Sequence, residues 1–276
     1  MIIKHNEAMN NHTTFRVGGP TDVFIATDNE VELIQVLRTT PGSILVIGNG
    51  SNLIVRDKGI RGTVLKFIGN HVTVKGLQII AQAGISLRRL SKIALEHGLT
   101  GLEFVHDIPG TLGGAVYMNA GAWGGVMSQV VREVRAVNRY GEERIFTDFD
   151  FGYRKSCFQE NKFIILEVVL ELQSGVPEEI QQTLQLMSER RRMTQPLNFP
   201  SCGTVFKKGG KWIKRAGLAG LRIGGAEVST KNPGFIINRR HASARDIEKL
   251  IQHIYRTVRK RTGKRLRLEA QVVGEK

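Results

Sequence analysis

A strand-like run, Ile44-Leu45-Val46-Ile47, leads straight into Gly48-Asn49-Gly50-Ser51-Asn52, and an apolar run resumes at Leu53-Ile54-Val55. Glycines there allow positive φ and let successive backbone N–H groups converge into an anion-binding nest, to which Ser51 and Asn52 add side-chain donors. A phosphate suits such a nest; an ordinary tight turn is the plainer reading of the same residues. The loop is not a Rossmann fingerprint, because Leu53 stands where a third Gly is needed and the chain continues as strand.

About 60 residues on, Ile108-Pro109-Gly110-Thr111-Leu112-Gly113-Gly114-Ala115 is followed by Asn119-Ala120-Gly121-Ala122-Trp123-Gly124-Gly125. So many small residues mean that something approaches the backbone closely, either a neighbouring strand or a flat ligand. Two such loops in one chain point to a dinucleotide more strongly than either does alone. The 31 glycines recur at no fixed period, which excludes a solenoid or a collagen-like chain.

Around these loops the pattern is α+β. Leu33, Ile34 and Leu37 predict a helix capped by Asp28 or Asn29, and Ser43 to Ile47 and Thr63 to Phe67 read as strands. Residues 72–83, 130–137 and 163–172 predict further strands, with an amphipathic helix on Leu87, Leu90, Ile93 and Ala94 closed by Gly98. Ser174-Gly175-Val176-Pro177 marks a boundary before an acid-led helix running toward Arg192. Ser243-Ala244-Arg245-Asp246 is a capping-box pattern opening a helix with Ile247, Leu250, Ile251, Ile254 and Val258 on one face. Leu266, Leu268, Ala270 and Val272 alternate as one face of a last strand.

Charge divides the chain unevenly. Residues 176–276 carry 22 Lys and Arg against 8 Asp and Glu, whereas residues 1–175 carry 18 against 17. Such asymmetry predicts an anionic partner for the C-terminal part, nucleic acid or a phosphorylated small molecule. Nucleic acid is disfavoured, because no helix-turn-helix, zinc or RNA-binding aromatic signature accompanies the charge. No apolar run approaches the roughly 20 residues that span a bilayer, and the first residues lack a signal peptide's hydrophobic stretch, so a cytoplasmic protein without membrane contact is expected. Cys157 and Cys202 read as free thiols, and no metal site is expected.

Phe151-Gly152-Tyr153-Arg154-Lys155-Ser156 places an Arg, suited to a carboxylate or phosphate, inside an aromatic loop. Pro200-Ser201-Cys202-Gly203-Thr204-Val205-Phe206-Lys207 offers hydroxyls beside cations, but no motif ties a histidine base to Cys202.

In this order, these segments resemble the UDP-N-acetylenolpyruvoylglucosamine reductase family, together with Asn11 to Pro20, Gln195-Pro196 and Gly224 to Ser229, over residues 10 to 274. The resemblance implies an α+β chain with a vanillyl-alcohol-oxidase-type FAD-binding fold of two subdomains plus a C-terminal α+β substrate domain. The subdomains would be 1–66 and 67–175, the second joined by the C-terminal strand 264–276, with 176–263 as substrate domain. The chain resembles the compact class, which lacks an inserted substrate-covering loop.

The family's activity implies FAD as cofactor and NADPH as donor, with flavin N5 delivering hydride to the enol-ether double bond of a UDP-sugar; a monomer is expected. FAD binding falls on Gly48, Asn49, Gly50, Ser51, Asn52, Pro109, Gly110, Thr111, Gly113, Gly114, Asn119 and Gly121. Substrate binding falls on Arg190, Gln195 and Lys207, and catalysis on Arg154, Thr204 and Gln271. Arg154 matches the family's carboxylate-stabilising Arg. Thr204 stands on its proton-donating Ser, and Gln271 on its C-terminal catalytic Glu. These two departures define an alternative, a member that binds FAD with weakened or lost reductase activity.

Overall fold

The computed structural model describes all 276 residues, and they fold as mixed helix and strand. Chain contacts divide them into two compact units. The first comprises Met1–Ile3, Phe24–Gly48 and Thr63–Arg191; the second comprises Lys4–Val23, Asn49–Gly62 and Arg192–Lys276.

In the first unit, helix α1 (Glu30–Thr39) starts where the sequence asks: Asn29 is the cap, its side chain accepting from the amides of Val31 and Glu32. Leu33, Val36 and Leu37 are its buried stripe. Ile44–Ile47 pairs in parallel with Thr63–Lys66. An antiparallel sheet then orders Glu143–Phe146, Val131–Val137, Ile164–Glu171, Gln78–Gln82 and Val72–Lys75 side by side. Ile79, Ala81, Val134, Ala136, Val168 and Leu170 are completely buried, as period-two alternation dictates for one covered face. Helix α2 (Leu87–Glu96), capped by Ser86, buries Leu87, Leu90, Ser91 and Ala94 and stops at Gly98, whose φ is +63°. The short helix α3 (Leu112–Tyr117) is capped by Thr111.

Helix α4 (Pro177–Thr194) opens with Glu178 and Glu179, as expected. The expected boundary at 176 does not coincide with the compact units, because α4 stays with the first as far as Arg191. Ile180 and Leu184 are buried, and Ser188 and Arg191 are bonded to Asp107, so the helix is held by this unit along most of its length.

The second unit is built around helix α6 (Ala244–Thr262). Both halves of the Ser243/Asp246 capping box form, and Gly263 ends the helix in the left-handed conformation at φ +70°. Ile247, Leu250, Ile251, Ile254 and Val258 are buried with Phe15, Val205, Phe206 and Ile213 from elsewhere in the unit, and each such side chain stabilises by about 1.5–3 kcal/mol relative to exposure. Helix α5 (Gly210–Arg215) contacts α6, and a small antiparallel sheet runs Arg222–Ile223, Ala226–Val228, Ile236–Asn238. Arg256, Arg259, Lys260 and Arg261 are exposed.

One expectation is corrected. The last strand does not join residues 67–175: Gln271–Val273 pairs in parallel with Leu53–Val55. Arg56 secures this register, its amide donating to Val273 O at 2.9 Å and its Nη1 to Gly274 O at 2.9 Å. No helix is long and apolar enough to cross a membrane.

Candidate functional site

Within the first unit, Gly48 and the Pro109–Gly114 segment meet backbone to side chain. A Cβ on Gly48 would lie 2.5 Å from Thr111 Oγ1, so any side chain there would force Thr111 to shift. Thr111 is buried and accepts from Gly114 N at 3.4 Å, while Gly110 O accepts from Leu87 N. Gly113 is explained by packing instead: its amide donates to Ala83 O at 2.9 Å, and a Cβ would sit 2.9 Å from that of Ala83. Gly114 and Pro109 are exposed.

Arg154 lies in the same unit, and its surroundings are strained. Asn119 (φ +40°), Trp123 (φ +56°), Asp150 (φ +44°) and Arg154 (φ +55°) all adopt the left-handed region that non-glycine residues seldom enter. The Asn119 amide group is fully engaged, donating to Gly152 O at 3.0 Å and accepting from Ser128 N at 3.0 Å. Arg154 donates to Gly121 O at 3.0 Å and Asn119 O at 3.4 Å. The side chain of Gln159 donates to Arg154 O and Tyr117 O, and the buried Ser156 hydroxyl donates to Tyr117 O at 2.7 Å. Asn119 and Gly121 thus position the guanidinium. Gly121 also packs tightly, a Cβ there falling 2.7 Å from Gly125 O.

Arg190, near the end of α4, is exposed, its Cζ standing 4.7 Å from the Trp123 ring centroid. Its neighbour Arg191 is the more enclosed, with burial lowering its pKa, and it donates to Asp107 O. In sequence Asp107 stands out only as a departure from the family's usual Gly, with no role attached, and Ser188 and Arg191 do not stand out at all. The one signal that could have found these two is their i, i+3 spacing on a helix.

In the second unit, Asn49 to Asn52 is braced by both chain ends. A Cβ on Gly50 (φ +59°) would lie 2.2 Å from His12 O, and Gly50 O accepts from the amides of Thr14 and Leu53. Asn52 Nδ2 donates to Glu269 O at 3.0 Å, and Gln271 N donates to Asn52 O at 2.9 Å. The amides of Asn49, Gly50 and Ser51 donate to no group of the chain. A loop with those amides unused and glycines that exclude any Cβ fits an anionic diphosphate.

Thr204 follows Gly203 (φ +78°) and bridges to Phe235. Val205 O accepts from the amides of Glu269 and Ala270, and Lys207 N donates to Arg267 O at 2.8 Å. These bonds bring Thr204, Asn52 and Gln271 into one neighbourhood of the unit. Thr204 Cγ2 is turned toward Gly234, where a Cβ would meet it at 3.4 Å. Its hydroxyl bonds to no group of the chain, and Lys207 makes no ion pair. Gln195 is half-buried ahead of the buried Pro196.

Cys202 is buried in the apolar core, and burial pushes its thiol up to about 12. It cannot supply a thiolate nucleophile near neutrality. Iodoacetamide at pH 8 is expected to leave Cys202 unlabelled in the folded protein while the partly exposed Cys157 reacts slowly, as peptide mass spectrometry will show; native labelling of Cys202 would contradict this burial. A separate open hollow of about 590 Å³, lined by Asp28, His71, Gln82, Arg89, Glu96 and His97 among others, contains none of the residues above.

An unused row of loop amides of this kind suits a flavoprotein. Residues 21–147 match the family described as FAD binding domain, and residues 195–273 match UDP-N-acetylenolpyruvoylglucosamine reductase, C-terminal domain. The chain is 45% identical to UDP-N-acetylenolpyruvoylglucosamine reductase 2 of Bacillus cereus (strain ATCC 10987 / NRS 248), over 99% of this chain and 93% of the relative. It is 43% identical to UDP-N-acetylenolpyruvoylglucosamine reductase of Caldanaerobacter subterraneus subsp. tengcongensis, over 98% and 93%. The crystal structure of the reductase from Thermus caldophilus superposes with a TM-score of 0.87 at 32% identity, covering 99% of this chain and all of that one. The chain therefore belongs to the UDP-N-acetylenolpyruvoylglucosamine reductase family, and is an FAD-dependent oxidoreductase.

Proposed function

We propose that this chain reduces UDP-N-acetylglucosamine enolpyruvate to UDP-N-acetylmuramate, with NADPH as donor, in the cytoplasm. The observation that carries the reading is the preset Arg154 guanidinium. The Arg154 guanidinium is fixed by two backbone carbonyls, and the Thr204 hydroxyl has no partner within the chain. FAD when bound supplies two-electron reduction, taken from NADPH and delivered to the substrate's double bond. Gly48, Asn49, Gly50, Ser51 and Asn52 would hold its pyrophosphate through backbone amides, with Thr111 packed against Gly48 and Pro109, Gly110, Gly113 and Gly114 contributing from the same segment as Thr111.

Reduction at one carbon of an enol ether conjugated to a carboxylate sends negative charge onto that carboxylate. Arg154 is the cation that balances it, already oriented and so needing no reorganisation as charge develops. Thr204 Oγ1 gives its proton to the neighbouring carbon and recovers one from solvent. Gln271 orients by hydrogen bonding and holds no titratable proton. Arg190, Gln195 and Lys207 would contact the substrate's anionic groups, which need only a few of the cations in this basic part of the chain.

The purified protein is expected to show a flavin spectrum and to oxidise NADPH faster when the enolpyruvyl UDP-sugar is added. A flavin-loaded preparation whose NADPH oxidation ignores that substrate would overturn the reductase reading and leave an FAD-binding protein in which Gln271 and Thr204 no longer sustain reduction.

A further inference from the structure

Asp107, the residue before the Ile108-Pro109 turn, is tied on three sides within the first unit. Its Oδ1 accepts from Arg88 of α2 at 2.7 Å, its Oδ2 from the Ser188 hydroxyl of α4 at 2.5 Å, and its backbone carbonyl from Arg191 of α4. Next to it, His106 Nδ1 and Ser91 Oγ of α2 are hydrogen-bonded at 2.7 Å, closing the same corner. Burial works to raise the Asp107 carboxyl, but the bonds from Ser188 and Arg88 and the neighbouring charges hold it below its usual value, so the acceptor stays ionised at neutral pH.

The end of α4 touches two segments at once. Ser188 and Arg191 reach Asp107, and Arg190 between them lies over Trp123. Charge-assisted hydrogen bonds on a partly enclosed residue outweigh an exposed Arg–Trp contact, so the bonds of Ser188 and Arg191 to Asp107 fix the helix end more than the Arg190–Trp123 contact does.

We propose that Asp107 is a positioning residue that fastens the C-terminal end of α4 to the 107–111 segment and thereby holds Arg190 over Trp123. Only the consequence for substrate rests on the function proposed above; the latch itself does not.

Trp212→Phe leaves Trp123 as the sole tryptophan, since the chain has two. In that background, Asp107→Ala and Ser188→Ala are each expected to raise acrylamide quenching of Trp123 about twofold, whereas Asp107→Asn, which keeps an acceptor, stays near the parent. With the enolpyruvyl UDP-sugar, Asp107→Ala is expected to raise KM about tenfold with kcat within about twofold, the signature of lost binding rather than lost chemistry. Quenching unchanged in both alanine variants, or a lowered Tm with Trp123 unmoved, would overturn the proposal. Should Asp107→Ala fail to fold, Ser188→Ala, which deletes a single hydroxyl, decides it alone. Altered quenching with KM unmoved would keep the latch and sink the substrate role of Arg190.

Discussion

Thr204→Val is expected to lower kcat by about 10²- to 10⁴-fold while FAD binding and flavin reduction by NADPH stay unchanged. Valine keeps both branches of the β-carbon, so the methyl turned toward Gly234 remains and only the hydroxyl is lost. That hydroxyl is the one group at position 204 able to give a proton, and it has no structural bond to sacrifice. The measurement is stopped-flow in two halves: bleaching of the flavin band by NADPH, then its recovery on adding the UDP-sugar. Recovery alone should slow. Thr204→Ser restores the hydroxyl with a freer χ1 and is expected to stay within about tenfold of the parent. A Val variant with parental recovery would show that the proton comes from elsewhere. Gln271→Glu sharpens the comparison, because neither Thr nor Gln titrates near neutrality; the substitution is expected to add an acidic limb to the kcat profile.

Local signals carried furthest where one segment determines its own conformation. The Asn29 cap, open in sequence against Asp28, the Ser243/Asp246 box and the Gly98 stop depend on residues within a few positions and could be read locally; the Gly263 stop rests on the same kind of signal but was not among them. The glycine loops were legible as places of close approach, but not for what approaches. Gly48 is crowded by the side chain of Thr111, Gly50 by the carbonyl of His12, and Gly113 and Gly121 by neighbouring protein atoms. A glycine required by packing and one required by a ligand look the same in a sequence. The pairing of Gln271–Val273 with Leu53–Val55 joins segments more than 200 residues apart, and alternation of apolar residues sets a face without naming the neighbouring strand. Asp107 escaped for a related reason: its partners lie on α2 and α4, and nothing at position 107 itself distinguishes a latch from a surface carboxylate.

Arg154→Ala is expected to lower kcat/KM by about 10²- to 10³-fold, the size seen when a fixed donor to developing negative charge is removed. Two effects must be separated, because Arg154 sits at φ +55°, and an alanine there keeps the left-handed strain of about 1–2 kcal/mol while losing the carbonyl bonds that compensate it. Arg154→Gly removes the same charge and relieves that strain. The two variants should therefore share one catalytic defect and differ in Tm, Gly being the more stable. Arg154→Lys is not a conservative rescue: an ammonium cannot donate in two fixed directions to Asn119 O and Gly121 O and still offer a coplanar N–H edge to a carboxylate. It is expected to recover no more than about tenfold of the loss. Equal Tm values with unequal activities in the Ala and Gly variants would mean that backbone placement of the 152–155 turn, rather than the guanidinium, governs the rate.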